Sequence, residues 1–304
     1  VATERQRRLV SEAVERYTGI PVIGAVPRLH RDIFPMRHLG MVPHQEYNES
    51  DDALKFLAQL IRDNIDLKRL RSLMAEISRS EETTSMSVAR AQTAKVRIGV
   101  LQDAAFQFYY SENLEALERA GAELVFLDAT RDPEIPELAG IYIGGGFPET
   151  SVARLAANSS FRNALKKKAD EGLPIYAECG GLIYLGESMI VDGQEYPLVG
   201  VFPVIFGMES KPQAHGYTIC EVTGANPFYF MGTEIKGHEF RYSTVNHYSP
   251  EKMIFCMRMK RGRGFADGWD GLVYKNVLAL YTHVHAGGEP QWAENFVSKC
   301  RTTV

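Results

Sequence analysis

The sequence predicts an α/β protein whose main domain is a parallel or mixed sheet flanked by helices, preceded by a short α/β segment and a helical connector. Three observations predict it. Apolar runs and amphipathic stretches alternate from residue 96 to about residue 189, the strand–helix–strand order that builds parallel sheets covered on both faces. After Pro197 the alternation gives way to consecutive strand-like runs separated by turns, so the later part of the domain is expected to consist of strands alone. Near the end of the first region lies PIYAECGGLIYL at residues 174–185, an apolar strand that turns directly into a helix.

The elements follow in order. Residues 1–20 place Leu9, Val10, Ala13, Val14 and Tyr17 on one helical stripe that ends at Gly19. PVIGAV at residues 21–26 reads as a short buried strand. The next stretch holds Pro27, Pro35 and Pro43 with Arg28, Arg31, Arg37 and His38, which is loop-like. So short a helix–strand–loop cannot bury a core of its own, and residues 1–48 read as the tail of an α/β domain. Ser50, Asp51 and Asp52 are good N-cap residues for a helix carrying Leu54, Leu57, Ile61 and Ile65. A second helix carries Leu67, Leu70, Met74 and Ile77. Residues 79–95 are polar, aperiodic and rich in Ser and Thr, so residues 49–95 read as connector and linker, and 96–304 as the main domain.

Within that domain, strands are expected at 96–101, 122–127, 140–143 and 173–177, and helices at 112–120, 149–172 and 180–189. The later strands are expected at 198–206, 216–222, 233–240, 253–259 and 272–281. A closing helix contains Trp292, Phe296 and Val297.

Composition narrows the function. The 304 residues carry 34 Lys plus Arg against 38 Asp plus Glu, so the chain lacks the basic footprint of a nucleic-acid binder. No apolar run approaches the roughly 20 residues of a membrane span. The first residues lack the apolar core of a secretory signal. The four cysteines, 179, 220, 256 and 300, form no CxxC pair, which argues against a zinc site or a disulfide framework. A reducing cytoplasm is the expected compartment.

The chemistry concentrates at three places. Cys179 stands where a buried strand meets a helix, with Ala177 and Gly181 as the small flanking residues that a tight nucleophile elbow requires. The helix N-terminus beneath it favours a thiolate, and the Gly180 N–H can face an oxyanion. The other reading is a buried structural cysteine at a strand end. YTHVHA at residues 281–286 offers His283 as a base and His285 as its orienter, at the end of an apolar strand; metal ligation or a plain surface pair is the alternative. IGGGFPE at residues 143–149 is a second loop after a strand, where Gly144, Gly145 and Gly146 let main chain approach a ligand. No GxxxxGK[ST] phosphate loop and no GxGxxG after a strand occur.

These motifs together resemble one family. AECGG, IGGGFPE and YTHVH are similar to the triad-type glutamine amidotransferase domain of cobyrinic acid a,c-diamide synthases and their relatives. DAAFQFYYSENL at residues 103–114, KPQ at 211–213 and GHEFRYS at 237–243 extend the resemblance, and RHLGMVP at 37–43 resembles the close of the family's ATP-dependent synthetase domain. The resemblance covers nearly the whole chain and is more specific for the superfamily than for the substrate.

The resemblance implies a class I glutamine amidotransferase-like fold for residues 96–304, behind a truncated P-loop-type segment. It implies Cys179 and His283 as catalytic residues, with Gly144, Gly145, Gly146 and Gly180 around the oxyanion and glutamine, and no metal. The partners implied are glutamine, a tetrapyrrole dicarboxylate acceptor and the remainder of the synthetase domain. ATP and Mg2+ are implied for the full-length enzyme, and the amidotransferase domain needs neither. This chain is then expected to retain at most glutaminase activity. One departure stands out: many triad amidotransferases carry His-x-Glu, whereas this chain has His283, Val284 and His285. His285 and Glu239 are the two candidate third members, Glu239 having an alternative role in structure or at an acceptor-binding interface. The same chemistry on sirohydrochlorin, nickel-sirohydrochlorin or sirohaem, and a non-catalytic binding module with the same fold, are the competing readings.

Overall fold

The computed structural model describes residues 3–29, 36–37, 40–41, 47, 50–76 and 95–303. The chain divides into two compact units, Val1–Ala91 and Gln92–Val304.

In the first unit, α1 (Glu4–Thr18) begins at Thr3, whose hydroxyl accepts from the Gln6 amide, and ends at Gly19 in the left-handed region at φ 69°. Its apolar stripe faces solvent, with Tyr17 81% and Leu9 51% exposed. β1 (Met36–Arg37) and β2 (Gly40–Met41) pair antiparallel. α2 (Ser50–Asn64) and α3 (Leu67–Glu76) follow. The strand expected at residues 21–26 reduces to a single bridge, Gly24 to Ile65. Gly24 lies so close to the Asn64 carbonyl that an added Cβ would stand 2.2 Å from it, and no neighbouring strand extends the pairing among the described residues. Most of the 37–43 motif and all of the linker but Lys95 lie outside the described residues.

The second unit opens with β3 (Val96–Leu101), β4 (Phe106–Phe108), α4 (Ser111–Arg119), β5 (Ala122–Leu127), β6 (Gly140–Ile143) and β7 (Gly145–Gly146). α5 (Pro148–Ala157), α6 (Ser159–Asp170), β8 (Ile175–Glu178) and α7 (Gly180–Tyr184) complete the alternating part. The strand-rich part comprises β9 (Ser188–Val191), β10 (Gln194–Pro197), β11 (Val204–Met208), β12 (Ala214–Val222), β13 (Glu234–Arg241) and β14 (Ser243–Tyr248). β15 (Ile254–Arg261), β16 (Trp269–Tyr274), β17 (Val277–Leu280), β18 (His283–Val284) and α8 (Trp292–Thr303) close it.

Ten strands form one mixed sheet in the order β18-β13-β12-β15-β16-β17-β8-β6-β3-β5. From β17 to β5 every neighbour is parallel, and from β17 to β18 every neighbour is antiparallel. β8 therefore sits inside the parallel half, next to the strand where the pairing changes sense. Alternation along β6 and β8 feeds two cores. Ile141, Ile143, Ile175 and Ala177 join the cluster that includes Leu155, Phe161 and Leu182. Tyr142 and Tyr176 join the one that includes Leu117, Trp292 and Phe296.

Several expectations are refined. The helix expected over 149–172 breaks at Asn158, whose side chain caps α6 through the Phe161 amide. The helix expected to reach residue 189 ends at Tyr184, where the Gly186 amide bonds back to the Ile183 carbonyl and residues 188–191 become β9. The strand expected over 272–281 is the β16–β17 hairpin, turning at Lys275 with φ 50°. β14 was not foreseen and pairs with β11 in a separate four-stranded sheet. No described helix is long and apolar enough to cross a membrane.

Candidate active site

β8 delivers Cys179 at its carboxyl end. The residue adopts φ 47° and ψ −97°, a conformation that costs a side-chain-bearing residue about 1–3 kcal/mol. Backbone bonds on every side hold it there. The Cys179 amide donates to the Leu280 carbonyl at 2.8 Å, and its own carbonyl accepts from Ile183 at 3.0 Å. Glycines make the bend fit: a Cβ on Gly181 would meet the Ile143 carbonyl at 2.5 Å, and one on Gly180 would meet the Gly146 nitrogen at 3.0 Å. Gly180 is the first residue of α7, so its N–H has no acceptor inside that helix. The residue is 7% exposed, whereas Cys220, Cys256 and Cys300 are wholly buried.

The glycine loop is built against this bend. β7 pairs antiparallel with β4, so Gly145 and Gly146 run as a short ribbon beside Phe108 and Phe106. The Gly181 amide donates to the Gly144 carbonyl at 3.1 Å, and the Gly144 amide donates to the Tyr109 hydroxyl at 2.8 Å. Gly144 N–H is thus already engaged by that hydroxyl.

His283 arrives from the opposite side. The buried Asp270 carboxylate accepts from the Tyr281 amide at 3.0 Å and the Thr282 amide at 3.1 Å, steering the chain from β17 into β18. His283 is 6% exposed. Its Nδ1 lies 3.7 Å from Oε2 of Glu178, the residue immediately before the cysteine. The other Glu178 oxygen accepts from the Val284 amide at 3.1 Å, and the Tyr142 hydroxyl donates to Oε2 at 3.3 Å. Asn113 of α4 braces the same segment, donating to the Val284 carbonyl at 2.8 Å and accepting from the Ala286 amide at 2.7 Å. Burial by itself would pull the His283 imidazole down. The Cys179 side chain and then the Glu178 carboxylate outweigh it and raise the ring to about 10. A Cβ on Gly145 would stand 2.4 Å from the His283 Cε1, so the glycine loop also walls this ring.

The fold therefore brings together Cys179, His283, Gly145, Gly146 and Gly180. The two expected orienters go elsewhere. His285 sets its ring against Tyr110 at 4.6 Å, and its Nε2 lies 3.7 Å from Glu112, because β18 ends at Val284 and the chain turns over α4. Glu239 accepts from the Arg263 amide at 2.5 Å and the Gly264 amide at 3.2 Å, fixing the 262–264 turn from the other face of β13. Two residues were missed, Glu178 and His238. A carboxylate ending the apolar run PIYAE, with no base beside it in sequence, was the available signal for Glu178. His238, paired across strands with His283, carried no local signal. Among the described residues no group of three or more His, Cys, Asp or Glu is arranged to hold a metal ion.

Residues 97–291 match the model of the CobB/CobQ-like glutamine amidotransferase domain. The chain belongs to that family. The cobyrinate a,c-diamide synthase of Magnetococcus marinus is 38% identical over 299 residues, covering 96% of this chain and 64% of its own length. That of Listeria innocua is 39% identical over 289 residues, covering 94% and 63%. That of Methanothermobacter thermautotrophicus is 38% identical over 296 residues, covering 97% and 65%. The chain thus spans a little under two thirds of the length of these relatives. Among solved structures, that of a glutamine amidotransferase aligns with a TM-score of 0.49 at 20% identity, covering 67% of this chain and 98% of its own. The matched CobB/CobQ-like segment contains the elbow, the glycine loop, GHEFRYS and both late histidines, so every residue of the site belongs to the family domain.

Proposed function

We propose that this chain is the glutamine-hydrolysing part of a tetrapyrrole a,c-diamide synthase, with Cys179 as nucleophile, His283 as acid and base, and Glu178 as the orienting carboxylate. The observation that carries the reading is the elbow cysteine beside an imidazole whose Nδ1 faces a buried carboxylate, which leaves Nε2 for the thiol. The Cys179 sulfur attacks the side-chain carboxamide carbon of glutamine, forming a C–S bond while the carbonyl electrons move onto oxygen. Backbone N–H groups of Gly180 and the Gly145–Gly146 ribbon face that oxyanion, each such donor being worth roughly 3 kcal/mol in comparable sites. The intermediate collapses, its C–N bond breaks, and the His283 imidazolium protonates the departing nitrogen to release ammonia. Water then attacks the thioester, His283 takes its proton, and glutamate leaves the free thiol.

The names of the relatives support cobyrinate as the acceptor class, its a and c acetate groups becoming amides. A carboxylate is a poor electrophile, so ATP with Mg2+ must activate it before ammonia attacks. The chain has no phosphate loop to hold ATP, and that step belongs to the rest of the synthetase. A binding module with this fold has no need of a buried Glu178–His283 pair beside an elbow thiol, which weighs against the non-catalytic reading.

The test is covalent. The diazoketone analogue of glutamine should label wild type at Cys179, and ammonia release from glutamine should vanish in Cys179→Ala. Labelling that persists in Cys179→Ala, or none in folded wild type, would overturn the reading. For the acceptor, the full-length enzyme with glutamine and ATP should convert cobyrinic acid to its a,c-diamide, and failure to do so while amidating sirohydrochlorin would reassign it.

A further inference from the structure

His238 lies face to face with His283. The two are a register pair of β13 and β18, their ring centroids are 4.9 Å apart and their planes differ by 18°. A Cβ at residue 237 would meet the His283 carbonyl at 2.2 Å, so only Gly237 lets β13 approach β18 this closely. Behind His238 stands Tyr110, the residue just before α4, with its hydroxyl 3.2 Å from the His238 Nδ1. The ring of His238 is half-buried, and burial first, then the charge on His283, hold it down to about 4. At neutral pH it is therefore an uncharged aromatic ring laid on an imidazole that carries a proton. A neutral π face stabilises a cation placed over it.

We propose that His238 is a positioning residue: its ring, anchored by Tyr110, fixes the plane of His283 between Cys179 and Glu178 and favours the protonated form of that imidazole. The inference rests on the glutaminase reading for its purpose, but not for its measurement. The groups facing His283 are Cys179 and Glu178 from the elbow and β8, and His238 from β13; Tyr110 faces His238. His285 and Glu112 form a separate pair on the far side of Tyr110. If His238 could charge near neutrality it would repel the His283 proton, so its low value and its stacked geometry serve the same end. The aromatic face carries the stabilisation, and the Nδ1 serves only the anchor to Tyr110.

The experiment is an NMR titration of the His283 imidazole in this chain, for wild type and for His238→Phe, His238→Ala and Tyr110→Phe, alongside diazoketone labelling of Cys179. His238→Ala should lower the His283 midpoint by about one pH unit, the size expected for loss of a partly buried cation–π contact. Labelling at pH 8 to 9 should fall with it. His238→Phe keeps an aromatic face but loses the Tyr110 anchor, so its midpoint should fall no further than that of Tyr110→Phe, the partial rescue a generic packing role would not give. Tyr110→Phe, the mildest change, should lower the midpoint by less than His238→Ala. An unmoved midpoint in His238→Ala, or an equal fall in His238→Phe and His238→Ala, would overturn the proposal. Should His238→Ala not fold, a wild-type midpoint in Tyr110→Phe together with a fall in His238→Phe would overturn it. Wild type that titrates as expected yet never reacts with the diazoketone would count against the glutaminase reading and leave the stacking inference standing.

Discussion

The Glu178 carboxylate stands 3.7 Å from Nδ1 of His283, and Glu178 is the backbone neighbour of Cys179. One strand end thus supplies both the sulfur and the carboxylate that faces the imidazole. β8 alternates between two cores, so Glu178 points toward Tyr142 and Asn113 while the chain turns sharply at Cys179. Replacing Glu178 by Gln removes the negative charge and keeps the size. Labelling of Cys179 should slow by about 100-fold, a typical loss for a disabled acid–base unit. The sign of the pH effect follows from the raised imidazole. Glu178 helps keep His283 protonated up to about 10, so in Glu178→Gln the alkaline limb of the labelling profile should move down toward 6.5. A pH–rate series on both proteins checks it, and an unmoved limb refutes the assignment.

Labelling should also be selective. Cys220, Cys256 and Cys300 are fully buried, and burial pushes all three thiols up, those of Cys256 and Cys300 to about 12. Peptide mass spectrometry after substoichiometric diazoketone should find Cys179 alone modified.

The glycine loop can be tested by one methyl group. In Gly145→Ala the new Cβ would overlap the His283 Cε1 at 2.4 Å. The imidazole must shift, and a displacement of this kind costs about 100-fold in reactivity. The expected result is slow labelling with a nearly unchanged melting temperature, measured on the same preparation.

His285 and Glu239 separate structure from chemistry. His285→Asn should label within about threefold of wild type, since the histidine ring meets Tyr110, Glu112 and the Gly287 amide, away from Cys179 and His283. Glu239→Ala leaves the Arg263 and Gly264 amides without their acceptor. It should lose about 1–3 kcal/mol in urea unfolding. A third-member role for either would show instead as a large loss of labelling in folded protein.

Asp103 gives a stability signature. Its oxygens accept from the Ala105 amide at 2.7 Å, the Phe106 amide at 3.1 Å and the Ala129 amide at 2.7 Å. Burial still outweighs these bonds and raises the carboxyl to about 6 from 3.8. The folded state therefore holds a proton that the unfolded state has released, and this group's contribution is full below 3.8 and falls as pH rises to 6. Urea melts of wild type and Asp103→Asn across pH 4 to 7 should show the wild type's relative stability declining through that window. A gap that widens with pH would contradict it.

Much of this was legible in sequence. Strands at 96–101, 122–127 and 140–143 and the closing helix around Trp292 announced themselves because apolar runs and helical stripes are local patterns. The elbow at Cys179 was legible because a tight turn needs small residues at fixed offsets, and Ala177 and Gly181 stand there. The split of the 149–172 helix was hidden in Asn158, whose capping role depends on where the chain goes next.

The sequence by itself determined the sharp bend at Cys179, the glycine loop and the imidazole on the last strands, since each is set by a few adjacent residues. Tertiary structure alone decided which acid meets His283 and which ring covers it. Those partners come from β8 and β13, strands remote in sequence, and strand order and register rather than spacing along the chain placed Glu178 and His238 beside the imidazole. His285, two residues away, turned outward because its strand ends at Val284.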